Sequence, residues 1–299
     1  MASQALAARQ RRTNAGYVFA APFLLLFAVF MAVPIVASFV MSFTSFGLGD
    51  LADPFGASFV GLANYAALFA DSTFRQAALN TVLYTVVGVV ITLAIGLAAA
   101  VGVNRALGRL RGIFRVGYYL PVVTSIVAIA VIWRFLLDPD YGLLNDLLRL
   151  SGLNAVNWLG DQNLALPTIT AIVVWRNLGN AMVLFLAGLQ GIPNEVYEAA
   201  SIDGAGRWRE FRSITWPLLH ATTLFAAVMS TIGYLQIFEE PFVMTQGGPL
   251  NRTLSVSIYM YQQGFNFFHL GYASSIAYTM FVVIAAVTVL QFRLLRPEA

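Results

Sequence analysis

The chain has 299 residues, 59% hydrophobic and 10% charged, with a formal net charge of +3 and a mean hydropathy of +0.75. So apolar a composition excludes an ordinary water-soluble domain, and the basic excess is too small for a nucleic-acid-binding surface. With no Cys and only His220 and His269, the sequence offers neither a disulfide framework nor a Cys/His metal site.

Six segments are long enough to cross roughly 30 Å of hydrocarbon as helices: about 17–42, 76–101, 114–137, 164–189, 216–238 and 272–295. The expectation is an all-α membrane protein, with a tail over residues 1–16 and one six-helix membrane domain over 17–299. The first segment is too long for a signal-peptide core and no small-residue cleavage pattern follows it, so it is expected to remain as a helix, kinked at Pro22 and Pro34. A Gly- and Asp-rich loop from Thr44 to Arg75 follows, containing Phe59-Val60-Gly61-Leu62-Ala63-Asn64-Tyr65. Asn80 and Thr81 enter the second segment, where Gly88, Gly96, Ala100 and Gly102 offer small surfaces for close helix packing.

Arg105 to Arg115 forms a basic elbow suited to anionic headgroups, and Tyr118-Tyr119-Leu120-Pro121 stands near the start of the third segment. Arg134, four residues before Asp138, is expected to snorkel to water and pair locally. A polar loop runs from Asp138 to Gln162. The fourth segment holds Trp175, Arg176, Asn177 and Asn180, and a charge inside a span must face protein or water. The fifth ends in Tyr234, Gln236, Glu239 and Glu240. Two readings of this cluster stay open: Arg176 pairs structurally with Glu239 or Glu240, or the group bounds a cavity for a hydroxyl-rich solute, whose every buried hydroxyl needs a partner.

Between the fourth and fifth segments, Pro193 can open a helix and Gly204 suits a left-handed stop, which predicts a short helix from about Pro193 to Asp203. After the fifth, Thr245-Gln246-Gly247-Gly248-Pro249 predicts a tight turn. Tyr259, Tyr261, Phe265, Phe267, Phe268 and Tyr272 suit an interfacial aromatic belt.

All 17 basic residues are Arg, and twelve of them fall on one side: Arg9, Arg11, Arg12, Arg105, Arg109, Arg111, Arg115, Arg207, Arg209, Arg212, Arg293 and Arg296. The opposite loops hold Arg75, Arg149 and Arg252 among nine acidic residues, so the Arg-rich side with both termini is expected in the cytosol. A phosphate-binding loop needs a Lys, and the chain has none. No nucleophile, base and orienting group stand together either, so no enzymatic activity, catalytic residue or metal site is expected.

Glu198-Ala199-Ala200, then Asp203-Gly204-Ala205, then Phe211, Ile214 and Pro217 match the EAA loop of ATP-binding-cassette (ABC) import permeases. The run from Gly61 to Tyr65 resembles the "GLxNY" approach to the second helix of sugar-import permeases. The run from Thr245 to Pro249 resembles the "TxGGP" turn of carbohydrate importers. The resemblance extends from about Phe59 to the C-terminus and lies nearest the first permease of maltose-type heterodimers.

It implies the type I ABC importer permease fold, with a cytosolic coupling helix in a loop of about residues 190–215. Glu198, Ala199, Ala200, Asp203, Gly204 and Ala205 would meet the ATPase. The substrate-pathway candidates are Trp175, Arg176, Asn177, Asn180, Tyr234, Gln236, Glu239 and Glu240, and the outer-mouth turn is Gly247, Gly248 and Pro249. Implied partners are a second permease completing a heterodimer, two cytosolic ATP-binding subunits carrying the ATP and Mg, an extracytoplasmic solute-binding protein, and membrane lipids. The chain itself would bind no cofactor. The location would be a bacterial or archaeal inner cell membrane, and the activity alternating-access import of a sugar or sugar-like solute: a saccharide, a polyol or glycerol phosphate. One rival is a secondary transporter or channel using Arg176 with Glu239 and Glu240 as an ion relay; another is a non-transporting scaffold with the same docking loop.

Overall fold

The computed structural model describes residues 19–53, 56–105 and 109–294, without the side chains of 105 and 109–111. The tail over 1–16 with Arg9, Arg11 and Arg12, the side chains of Arg105, Arg109 and Arg111, and Arg296 lie outside the described residues. Five helical stretches are long and apolar enough to cross a membrane: α1 (Phe19–Met41), α3 (Ser72–Arg105), α7 (Ala165–Gln190), the stretch His220–Thr245, and α13 (Leu270–Leu294). With α2 (Ala63–Ala70) preceding α3, the elements are helical and the described residues contain no strand beyond one isolated bridge, Thr44 to Phe59. The chain is a multi-pass membrane protein.

The third expected span is broken. It consists of α4 (Arg109–Val123) and α5 (Ile126–Leu136), bent by 96°. Pro121 weakens the end of α4, and Ser125 leaves helical geometry with ψ at 127°. A Cβ on Gly179 of α7 would lie 2.4 Å from the Tyr118 carbonyl oxygen, so α4 is held tightly against α7. The unbroken apolar pattern is compatible with either course of the chain. The fifth expected span also differs. Pro217 sits in the short turn Trp216–Leu218, α10 runs from His220 to Leu235, and a separate helix α11 (Glu239–Thr245) follows, where the sequence suggested one helix over 216–238.

The chain divides into two compact units. One comprises the described residues up to Ala70 together with Tyr261–Tyr278. There Asn64 Nδ2 donates to the carbonyls of Ser42 and Thr44, each at 2.9 Å, and Tyr65 Oη donates to Ser42 Oγ at 2.8 Å. The Asn-Tyr pair noted in the sequence thus clips the loop to the end of α1. Phe39 and Tyr278 meet edge-on at 5.0 Å.

The second unit, Asp71–Met260 with the residues after Tyr278, is built on the contact between α3 and α7. Gly96 permits it, since a Cβ there would stand 2.6 Å from the Ala181 Cβ; Gly88 instead admits α10, a Cβ there standing 2.2 Å from the Tyr234 ring. Ala100 is fully buried, whereas Gly102 meets nothing within 4 Å and is exposed, so the expected packing role fails there. One apolar cluster includes Tyr84, Ile169, Val173 and Tyr234; another includes Leu97, Met182, Phe185 and Leu219.

The loop after α5 carries α6 (Leu143–Leu150), pinned by fully buried Asn145. Its amide donates to the Asp138 and Val156 carbonyls, and its oxygen accepts from Val156 N–H and Trp158 Nε1. Arg134 makes no ion pair with Asp138. That carboxylate accepts backbone N–H bonds from Asp140 at 2.9 Å and Tyr141 at 3.0 Å, and these donors, Tyr141 foremost, hold it below the usual carboxylate range. Tyr259 is no belt residue: it is buried, and its hydroxyl donates to Asp71. Phe265, Phe267 and Phe268 are exposed as a belt requires.

Candidate coupling loop and translocation cavity

The loop after α7 forms α8 (Asn194–Ile202), one residue inside the expected bound at each end, with Pro193, at an extended ψ of 137°, as the flanking cap instead of the first helical residue. Its end is closed entirely by backbone. Gly204 takes φ +73°, its N–H donates to the Ser201 carbonyl at 3.1 Å, and the Ala205 N–H reaches back to the Ala200 carbonyl at 2.9 Å. This is the paired 5→2 and 6→1 arrangement that satisfies the last carbonyls of a helix. A Cβ at Gly204 would touch nothing within 4 Å, so the glycine answers to backbone conformation, not to packing.

α8 buries none of its residues. Glu198, Ala199, Asp203 and Gly204 are exposed, Ala200 and Ala205 half-buried, and Ile202 is 86% exposed. Behind it run α9 (Arg207–Glu210) and a π-helical turn, Phe211–Thr215. Tyr197 Oη lies 3.2 Å from Thr215 Oγ1, tying α8 to that turn.

Arg176 of α7 donates through Nε to Glu240 Oε1 at 2.6 Å, with side chains 16% and 2% exposed. Glu239, its neighbour at the start of α11, is exposed. Of the other pathway candidates, Asn177, Asn180 and Tyr234 line a cleft of about 490 Å3 with Tyr119, Phe225 and Ser230. Tyr234 Oη is 2.8 Å from Thr92 Oγ1 and also bonded to Asn177. Trp175 packs edge-on against Trp133 at 5.6 Å and, like Arg176, Gln236, Glu239 and Glu240, does not line this cleft.

The turn after α11 is cross-linked into the bundle. Gly247 takes φ +91°, a Cβ there would lie 2.8 Å from Leu254 Cδ1, and the Gly248–Pro249 peptide is cis. Thr253 Oγ1 donates to the Gly248 carbonyl at 2.6 Å. Asn80 of α3 donates from one amide nitrogen to the Asn251 carbonyl at 2.7 Å and the Leu254 carbonyl at 2.9 Å. Sequence reasoning gave Asn80, Asn145 and Thr253 no role. The available signal for Asn80 was an amide in an apolar span, which needs a partner.

Residues 91–298 match the family described as binding-protein-dependent transport system inner membrane component. The chain is 35% identical to the arabinooligosaccharides transport system permease protein AraP of Bacillus subtilis (strain 168), over 94% of this chain and 88% of that one. It is 36% identical to the lactose transport system permease protein LacF of Rhizobium radiobacter, over 93% and 92%. With the trehalose/maltose transport system permease protein MalF of Thermococcus litoralis (strain ATCC 51850 / DSM 5473 / JCM 8560 / NS-C) it shares 32% identity over 95% of each. Its fold is similar to a chain of a bacterial ABC transporter involved in the import of the acidic polysaccharide alginate, with TM-score 0.85, 23% identity and 97% and 98% coverage. By the family match over residues 91–298 and by relatives at 32–36% identity over nearly the whole chain, the chain belongs to the binding-protein-dependent transport system inner membrane component family, the permeases of ABC importers.

Proposed function

We propose that this permease moves a sugar or sugar-like solute into the cell by alternating access, driven through α8 by separate ATP-binding subunits and paired with a second permease. The observation that carries the reading is α8 itself: a short helix, stopped by its own backbone, with the Glu198-Ala199-Ala200 and Asp203-Gly204-Ala205 residues on an unburied surface. A helix fixed at both ends and free on its outer face transmits a push to the spans that flank it. The bias of Arg toward its side of the membrane supports a cytosolic α8. An extracytoplasmic binding protein would release cargo above α11 and the Gly247–Pro249 turn, and ATP and Mg would stay on the ATPase subunits.

Cargo recognition fits the cleft between α7 and α10. Asn177, Asn180, Tyr234 and Ser230 offer amides and hydroxyls, and Tyr119 and Phe225 offer aromatic faces, the two kinds of group that a sugar requires. The names of the relatives favour saccharides. Arg176 and Glu240 act beside this cleft as a structural pair, which removes the motive for an ion relay. Uptake in reconstituted vesicles should stop on ATP depletion while a membrane potential is maintained; uptake that follows the potential without ATP would refute the reading.

A further inference from the structure

A second cavity, of about 450 Å3, lies behind α8, between the ends of α3 and α7 and the π-helical turn. Its lining includes Asn104, Gln190, Asn194, Tyr197, Glu210 and Thr215, over an apolar floor that includes Val101, Leu189 and Phe211. The cleft already described shares no lining residue with it. Its size is that of ordinary small-molecule sites, and helical turns of this widened kind recur at functional positions.

We propose that this cavity is a binding site on the coupling-loop side for a neutral, hydroxyl-rich solute of one or two sugar rings, which rests on the sugar-importer reading above. Amide and hydroxyl groups in this lining donate and accept as a sugar hydroxyl does, and the Phe211 and Tyr197 rings cover apolar faces. The walls come from parts that must move relative to one another if α8 is a lever: Asn194 and Tyr197 from the lever, Asn104 and Gln190 from the spans, Thr215 from the returning turn. A solute bridging them clamps the lever in one position. Imported sugar accumulating in the cytosol would therefore slow its own import.

The chain has no Cys, so a single Gln190→Cys variant, at an exposed position, reports on the cavity through its rate of labelling by a membrane-impermeant maleimide. The assembled importer in inside-out vesicles would be labelled with lactose, maltose or trehalose as probe, with glycerol and spermidine as controls. Mass action gives about tenfold protection at a sugar concentration roughly ten times Kd. Asn194→Leu added to Gln190→Cys should remove the protection, and uptake into right-side-out vesicles should fall as luminal sugar rises. Labelling that none of the three sugars slows, or protection by spermidine alone, would overturn the proposal. So would a thiol that is shielded in the assembled importer without sugar yet labels in the permease alone, because the cavity is then covered by a subunit. ATP-dependent uptake measured on the same vesicles separates the two readings: intact uptake without protection sinks only this site, whereas absent uptake sinks the importer.

Discussion

The turn at Gly247 and the loop at Gly204, proposed here as outer turn and coupling loop, are both glycine-dependent turns next to short helices, yet they are held in opposite ways. The turn around Gly247 is sewn to other elements: Asn80 reaches it from α3, Thr253 closes it, and the preceding α11 is anchored to α7 through Arg176 and Glu240. The turn at Gly204 is closed by backbone bonds, and Tyr197 meets Thr215 behind it. Substitutions in the outer turn should therefore be read out as stability, and substitutions in the coupling loop as transport.

The largest expected effect breaks the buried pair. Glu240→Ala strands a buried guanidinium and should destabilise the permease by about 3–5 kcal/mol, lowering its thermal unfolding temperature in lipid nanodiscs. The double variant Arg176→Met, Glu240→Leu should recover most of that loss; equal losses in the single and double variants would show that the pair is not the anchor. Asn80→Leu comes next, because it removes the donor to the buried Leu254 carbonyl and to the Asn251 carbonyl, and about 1–3 kcal/mol is expected by the same assay.

Gly204→Val should lower stability by only about 1–2 kcal/mol, the strain of a branched residue at positive φ, while uptake falls far more steeply than protein level or thermal stability. Proportional losses would erase the distinction between the two turns. The smallest effect concerns Asp138. Backbone donors favour its charged form, so its folded pKa lies below the unfolded one; its contribution is complete above the unfolded value and disappears as pH falls through the folded value. Amide exchange at Asp140 and Tyr141 should speed up on acidification relative to an Asp138→Asn control, in which that pH dependence is absent.

Apolar run length made the spans legible, and Pro193 with Gly204 bounded α8 to within one residue at each end. The break between α4 and α5 was not legible, because both halves are equally apolar and the bend is fixed by contact with α7. The partner of Arg176 was narrowed to Glu239 or Glu240 and no further. Choosing between them requires knowing that a helix starts at Glu239, which sets adjacent carboxylates on different faces, one exposed and one buried. The candidate pathway residues divide in the structure in a way the sequence did not show: Asn177, Asn180 and Tyr234 line the cleft, while Arg176 pairs with Glu240 and Trp175 packs on Trp133. Neither Asn80 nor Asn145 could be given a role, because a single amide is informative only once the carbonyl it must satisfy is known.

The most direct test uses Ile202→Cys, at the exposed end of α8, in the otherwise Cys-free chain, with a short thiol cross-linker applied to inside-out membranes holding the assembled importer. Cross-linking to the ATP-binding subunit, prevented when that subunit is removed, is the expected result. Labelling of residue 202 by an impermeant maleimide added to the outside of intact cells would contradict it.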